Sequence, residues 1–338
     1  MKRTSRVKDV AAAAGVSVAT VSRTYNSPTT VREEVRRRVL KAADRLDYRP
    51  HPAARALRSR RSHIVGAVIP TLDHAIFSRM INALQIALHD SGFGLFVATS
   101  GFDSATVGPV AASLIDRGAE ALLLVGTVND GDLLGLVRAK HIPVVATYSF
   151  HENGRIPFIG FDNFQSTYKI AEYLILLGHR DIAMVSGPTE GNDRQQSRIA
   201  AFRRALADYA VVGDPPLIVE KPYSIAHGAD SLCHILRERS RTTAVICNAD
   251  ILAFGVLTEC RRRGIPVPDA LSVAGHDDQD FANYLEPPLT TVAVPADEMG
   301  RRTAEALLDA VKTRAPIVGL RLPTSLVIRG STAPPRKV

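Results

Sequence analysis

Ten consecutive residues, SVATVSRTYN from Ser17 to Asn26, carry side chains of two complementary kinds. Arg23 offers a planar fork of donors that can pair in bidentate fashion with guanine O6 and N7, while Val18 and Ala19 are small apolar groups that can meet thymine methyls. Ser17, Thr20, Ser22 and Asn26 supply short polar groups of the kind that hydrogen-bond phosphate oxygens. This is chemistry for reading a duplex; it makes and breaks no covalent bond.

Such residues need a scaffold that projects them together. KDVAAAAGVSVATVSR predicts a short helix over Val7–Ala14, a stop at Gly15, and a second helix over Val18–Tyr25 with Ser17 as its N-cap. Two helices joined by a tight turn containing glycine form a helix-turn-helix. The run Ala11–Ala14 permits close packing, and Val10, Val16 and Val21 are the expected small core. A third helix is predicted over Glu33–Leu46, with Val35, Val39 and Leu46 on its buried face and Glu33 and Glu34 favouring the positive end of the helix dipole. Charge supports a polyanionic partner. Residues 1–62 hold 16 Lys+Arg against 5 Asp+Glu, or +11, whereas the remaining 276 residues hold 26 against 29, or −3. Residues 51–62, HPAARALRSRRS, read as a connector able to form a helix too short to be stable alone in water.

From Ile64 the texture changes. IVGAVIP, GLFVATS, ALLLV, IPVVAT, FIGF, DIAMVSG, TAVICN and LSVAGH alternate with helix-like stretches at 77–91, 164–177, 198–209 and 250–264. Continuous apolar strands separated by helices predict parallel sheets covered on both faces, and the number of strands predicts two doubly wound lobes. Ligands of such sheets bind outside the carboxyl ends of the strands.

Enzyme signatures do not accompany this pattern. The sequence holds no GxGxxG after a strand, no GxxxxGK[ST] and no GxSxG. The histidines, for example His74, His141, His179 and His227, lack metal-ligand spacing, and Cys233, Cys247 and Cys260 are too far apart for a metal site. A sparse, odd cysteine count fits reduced thiols in the cytoplasm. Met1 leads into charged residues, not an apolar targeting segment, and no apolar run approaches membrane-spanning length. An α/β sugar-metabolising enzyme with a basic arm is the competing reading.

KDVAAAAGVSVATVSR, LKAADRLDYRP and AARALRS resemble the DNA-binding headpiece of the LacI/GalR family of bacterial transcriptional regulators. The alternating region resembles that family's periplasmic-binding-protein-like core. The resemblance implies an all-α headpiece over 1–50 and a hinge helix over 51–62. It implies a first lobe over 63–162 and 292–324, a second over 163–291 and 325–338, and an effector cleft between them. It places Tyr48 and Arg49 beside the DNA backbone and Leu57 as a minor-groove wedge, which costs a few kcal/mol of unstacking and requires two chains. A homodimer on a palindromic operator follows, acting most readily as a repressor, with no cofactor and no metal.

Within the cleft the resemblance assigns effector contacts to Arg198 in SRIAAF and Asp277 in AGHDD, with Asp162 in FDNF as a similar candidate and Phe77, Phe161 and Tyr223 as stacking faces. Arg194, Arg198 and His276 tilt the effector towards a sugar acid, and FDNF resembles the gluconate-repressor branch. Three positions depart from the family pattern. Arg6 and Arg32 stand where capping hydroxyls are usual, and His51 replaces an asparagine ahead of the hinge.

Overall fold

The computed structural model describes residues 5–26, 28–48, 61–211 and 214–336. The chain divides into two compact units, Met1–His63 and Ile64–Val338.

In the first unit, helices α1 (Val7–Ala14), α2 (Val18–Asn26) and α3 (Glu33–Arg45) enclose a small core of Val10, Val21 and Val39 with Ala11, Ala14, Ala42 and Ala43. Val16 packs against it half-buried. Gly15 has φ 60°, a left-handed conformation that L side chains resist. This lets the Val16 N–H reach back to the Ala11 carbonyl at 3.0 Å and end α1. Ser17 Oγ accepts the Thr20 N–H at 3.1 Å and starts α2 two residues later. Neither Arg6 nor Arg32 caps its helix with a side chain. At α1 the exchange is partial, since the Arg6 N–H donates to Asp9 Oδ2 at 2.8 Å.

The second unit holds two six-stranded sheets. The first orders its strands β11 (Leu320–Arg321), β5 (Phe158–Gly160), β4 (Val144–Thr147), β3 (Ala121–Val125), β1 (Ile64–Ile69) and β2 (Gly94–Thr99). The second runs β12 (Ser325–Val327), β10 (Thr290–Ala293), β9 (Ser272–Asp277), β8 (Ala244–Cys247), β6 (Ile182–Ser186) and β7 (Ile218–Glu220). All pairings are parallel except β10 with β12. Central strands β3, β6 and β8 are buried along nearly their whole length and apolar but for Ser186, because both faces are covered. The flanking helices are α4 (Ala75–Asp90), α5 (Val107–Asp116), α6 (Gly131–Ala139) and α11 (Ala296–Thr313) in the first lobe. In the second they are α7 (Asn163–Leu176), α8 (Asp193–Asp208), α9 (Ile225–Glu238) and α10 (Asp250–Arg263).

The chain crosses between lobes three times: from β5 to α7, from β10 to α11, and from β11 to β12. The second crossing lies later than the sequence places it. Val292 and Ala293 pair in register with His276 and Asp277, so both belong to the second lobe and the crossing follows Ala293. Helix α8 also differs from expectation. It begins at Asp193, five residues before the predicted start at 198, and so brings Asp193, Arg194 and Gln195 to the inner end of its lobe.

Candidate functional site

On α2, Ser17, Ala19 and Arg23 are exposed, while Val18, Thr20 and Ser22 are half-buried. Ala19 and Arg23, four residues apart, share a helix face. Val18 also packs on the core of the unit, so it presents only part of its surface. Ser17 Oγ is 2.9 Å from Thr20 Oγ1, and buried Thr24 returns its hydroxyl to the Thr20 carbonyl at 3.0 Å. Tyr48 lies edge-on to Tyr25 with ring centroids 6.4 Å apart, tying the end of α3 to α2. Arg49, His51 and Leu57 lie outside the described residues, as does most of the predicted hinge, and of Asn26 only the backbone is described.

The second unit has a cavity of about 50 Å³ between its lobes. Its lining residues follow the carboxyl ends of strands, as the parallel topology requires. His74, Ile76 and Phe77 come after β1, Phe102 after β2 and Tyr148 after β4. From the other lobe come Arg194, Gln195 and Arg198 after β6, Tyr223 after β7, Asn248, Ala249 and Ile251 after β8, and Asp277 and Gln279 at the end of β9. Tyr223 bridges the gap, with its ring 5.3 Å from His74 and 5.2 Å from Phe102.

Arg198 is 5% exposed. Its Nε donates to Asn163 Oδ1 at 2.9 Å and its Nη1 to the Asn248 carbonyl at 2.6 Å, so neutral acceptors fix the plane of the guanidinium. Burial lowers its pKa from the usual arginine value, opposed by Asp277. Burial also pushes the Asp277 carboxyl up to about 7, with Arg198 opposing. Asp250, beside it, is likewise pushed up to about 7, by burial and then by Asp277. Asp250 is committed to structure: it accepts from the Gln279 N–H at 2.8 Å and from Thr291 Oγ1 at 2.6 Å. Asn248 donates to Gln195 Oε1 at 2.9 Å, while its own Oδ1 is buried without a hydrogen-bond partner.

Beside the cavity, Asp193 joins the lobes. Its Oδ2 accepts from the Thr127 N–H at 3.1 Å, Thr127 Oγ1 at 2.8 Å and Ser149 Oγ at 2.7 Å, all three from the opposite lobe. Burial alone would raise its pKa, but Arg194 and these donors more than offset that and hold it below the usual value. Arg194, bound to Asp193 Oδ1 at 2.9 Å, lies across Gly126, where any β-carbon would collide with its guanidinium.

Of the effector residues expected from sequence, the structure brings together Phe77, Arg198, Tyr223 and Asp277. Phe161 is fully buried behind the wall, against Tyr148 and His276, and does not line the cavity. Asp162 is also outside it: it caps α7, accepting the Gln165 N–H at 2.9 Å, because the chain turns into a helix there. His276 does not line the cavity and reaches Ser166, so of the three residues read as favouring an anion only Arg194 and Arg198 line it. Sequence reasoning missed His74, Phe102, Gln195, Asn248 and Gln279 as lining residues. The available signal was position alone, since each closely follows an apolar run. Among the described residues, no cluster of His, Cys, Asp and Glu could hold a metal, and no helix is long and apolar enough to cross a membrane.

Comparison with known proteins covers both units. Residues 6–51 match the bacterial regulatory proteins of the lacI family, and residues 171–332 match the periplasmic binding protein-like domain. The HTH-type transcriptional repressor CytR of Escherichia coli K12 is 30% identical over 327 residues, covering 96% of each chain. The lac repressor dimer, in a crystal structure bound to operator and the anti-inducer ONPF, superposes with a TM-score of 0.88 at 25% identity, covering 98% of this chain and 100% of that one. A LacI family regulator from Enterococcus faecium with bound ribose gives a TM-score of 0.72 at 25% identity over 80% of this chain and 99% of its own.

Proposed function

The chain belongs to the lacI family of bacterial regulatory proteins, and from that premise we propose that its cleft takes a sugar or sugar acid whose binding sets the affinity of a dimer for a palindromic operator. The protein is a DNA-binding transcriptional regulator with an effector-binding core, and not an enzyme. Its place of action is the cytoplasm, where the DNA is. The exposed face of α2, with Ala19 and Arg23 together, meets base edges in the major groove. Leu57 keeps its assigned role as a wedge, and Arg49 as a backbone contact, on the sequence motif. Tyr48 contributes chiefly by holding α3 on α2.

The observation that carries the effector reading is Arg198 in the cleft wall, held in one plane by two neutral acceptors with Asp277 in the same cavity. A fixed cation and a carboxyl between aromatic faces suit a ring bearing several hydroxyls. The cavity has room for a few waters, so a ligand enters by parting the lobes and binds as they close. Dimerisation is supported by apolar side chains left exposed on the first lobe: Phe96 and Val97 on edge strand β2, and Ile86 on α4.

A thermal-shift screen of neutral sugars and sugar acids on the full-length protein tests this. Saturation a hundredfold above Kd adds about 2.7 kcal/mol of stability. Stabilisation by one such compound, together with a changed operator affinity in its presence, is expected. A response confined to nucleobases or amino acids would overturn the sugar assignment.

A further inference from the structure

We propose that His276 is a positioning residue of the cleft: its imidazole switches tautomer with Asp277, keeping that carboxyl hydrogen-bonded both as a carboxylate and as an acid, so that effector binding at Asp277 is linked to a proton. The inference rests on the reading that Asp277 meets the effector.

The geometry is a buried chain of three groups. His276 is 1% exposed and lies against Phe161. Its Nδ1 is 3.3 Å from Asp277 Oδ1 and its Nε2 is 3.2 Å from Ser166 Oγ. Ser166 Oγ is also 3.0 Å from the Asn163 carbonyl, and a hydroxyl has one hydrogen to place. Two arrangements therefore satisfy both imidazole nitrogens, and they differ in whether the Ser166 hydrogen goes to Nε2 or to the Asn163 carbonyl. With Asp277 ionised, Nδ1–H donates to the carboxylate and the bare Nε2 accepts the Ser166 hydroxyl. With Asp277 protonated, its O–H donates to the bare Nδ1, Nε2–H donates to Ser166 Oγ, and the hydroxyl turns to the Asn163 carbonyl. The second state holds one proton more than the first, and the ring is neutral in both. An aromatic hydrocarbon ring at this position could serve neither state.

The surroundings keep both states within reach. Arg198 from α8 and His74 ahead of α4 favour the carboxylate, while Asp250 at the start of α10 favours the acid. Tyr148 and Tyr223 face the same carboxyl as neutral phenols, their ionisation opposed first by burial. Burial, then Arg198, holds His276 well below the usual histidine value, so charging the ring is disfavoured and a change of tautomer is the accessible response. A ligand hydroxyl donated to Asp277 requires the carboxylate. Binding of such a ligand below the midpoint of the switch therefore expels a proton.

The test needs no ligand. Full-length protein with ¹⁵N-labelled histidine is followed by NMR from about pH 5 to about 9, across the range where imidazole chemistry is visible. The His276 signals are assigned by their loss in His276→Phe. The expected result is a neutral ring throughout, with hydrogen on Nδ1 at the alkaline end and on Nε2 at the acid end, crossing over with the Asp277 carboxyl ¹³C titration. One tautomer over the whole range, or a ring that charges to imidazolium, overturns the proposal. In His276→Phe the Asp277 midpoint should rise, because the charge-assisted bond lost by the carboxylate outweighs the neutral bond lost by the acid, while the Gln279 side chain still donates. An unmoved midpoint would mean that the histidine only fills space. If that variant does not fold, assignment through ¹H–¹⁵N–¹³C correlation to the Asp277 backbone keeps the crossover measurable. Loss of the thermal-shift response to the sugar panel in Asp277→Asn tests the effector reading separately.

Discussion

Arg23 and Arg198 are the same side chain put to opposite uses. Arg23 stands exposed on α2 within a segment of net charge +11. Arg198 is buried in a second unit whose sequence from residue 63 carries −3, and two neutral oxygens fix its plane. On the proposed function the first acts as part of a field that salt screens with a Debye length of about 8–10 Å. The second is already ordered, so little conformational entropy is lost when a ligand arrives. One surface recognises a large polyanion by summed charge and a few base edges. On the same reading the other recognises a small molecule by a guanidinium already fixed in its plane.

The widest separation of the two comes from removing residues 1–62. Operator affinity should fall by about 10³-fold or more, to the level of random duplex or below. The effector-induced thermal shift should stay as in the full chain. Anisotropy titrations with a labelled operator at several salt concentrations check this, and a core that still bound operator would collapse the contrast. Arg198→Lys comes next. A point charge cannot serve Asn163 Oδ1 and the Asn248 carbonyl as a fixed fork. Effector affinity should drop by about 10–100-fold, the equivalent of 1–3 kcal/mol for unsatisfied buried groups. Ligand-free operator binding should be unchanged. Arg23→Ala should cost about tenfold in operator affinity and relax selection at one base pair per half-site, read out by binding to a library of single-base operator variants. A uniform loss on every variant would mean that Arg23 touches phosphate.

The headpiece was legible because its signals are local. Gly15, Ser17 and the alanines specify a turn and two helices within a dozen residues, and no distant contact is needed to read them. The lobes were legible as alternating apolar runs, but β7, β10, β11 and β12 were not. They are two to four residues long, and their burial comes from neighbours remote in sequence. The cleft was half legible. Phe77, Arg198, Tyr223 and Asp277 converge, whereas Asp162 and Phe161 sit two residues and one residue past a strand end and are taken up by a helix cap and a core. Asp193 was missed because its partners, Thr127 and Ser149, belong to the other lobe, and nothing in a linear sequence joins them.

The smallest expected effect sharpens the comparison within the core itself, since its carboxylates oppose one another in pH. Asp277 and Asp250 have folded-state pKa values of about 7, above the unfolded value of about 3.9. What they contribute is fully present below the unfolded value and is lost as pH rises through about 7. Asp193, held below its usual value, contributes stability above about pH 3.9 that is lost as pH falls further. The thermal midpoint of the core should therefore decline from about pH 5 to about 8, and Asp277→Asn should flatten that decline. Asp193→Asn should leave the alkaline limb alone and lower the midpoint by about 2 °C near neutrality, the equivalent of roughly 1 kcal/mol for lost charge-assisted bonds between lobes. Melting curves across pH in low and high salt read both. Buried or half-buried groups are poorly screened, so salt should leave these limbs in place while it abolishes operator binding. A pH limb that vanished with salt would place these carboxylates in the same solvated regime as the headpiece.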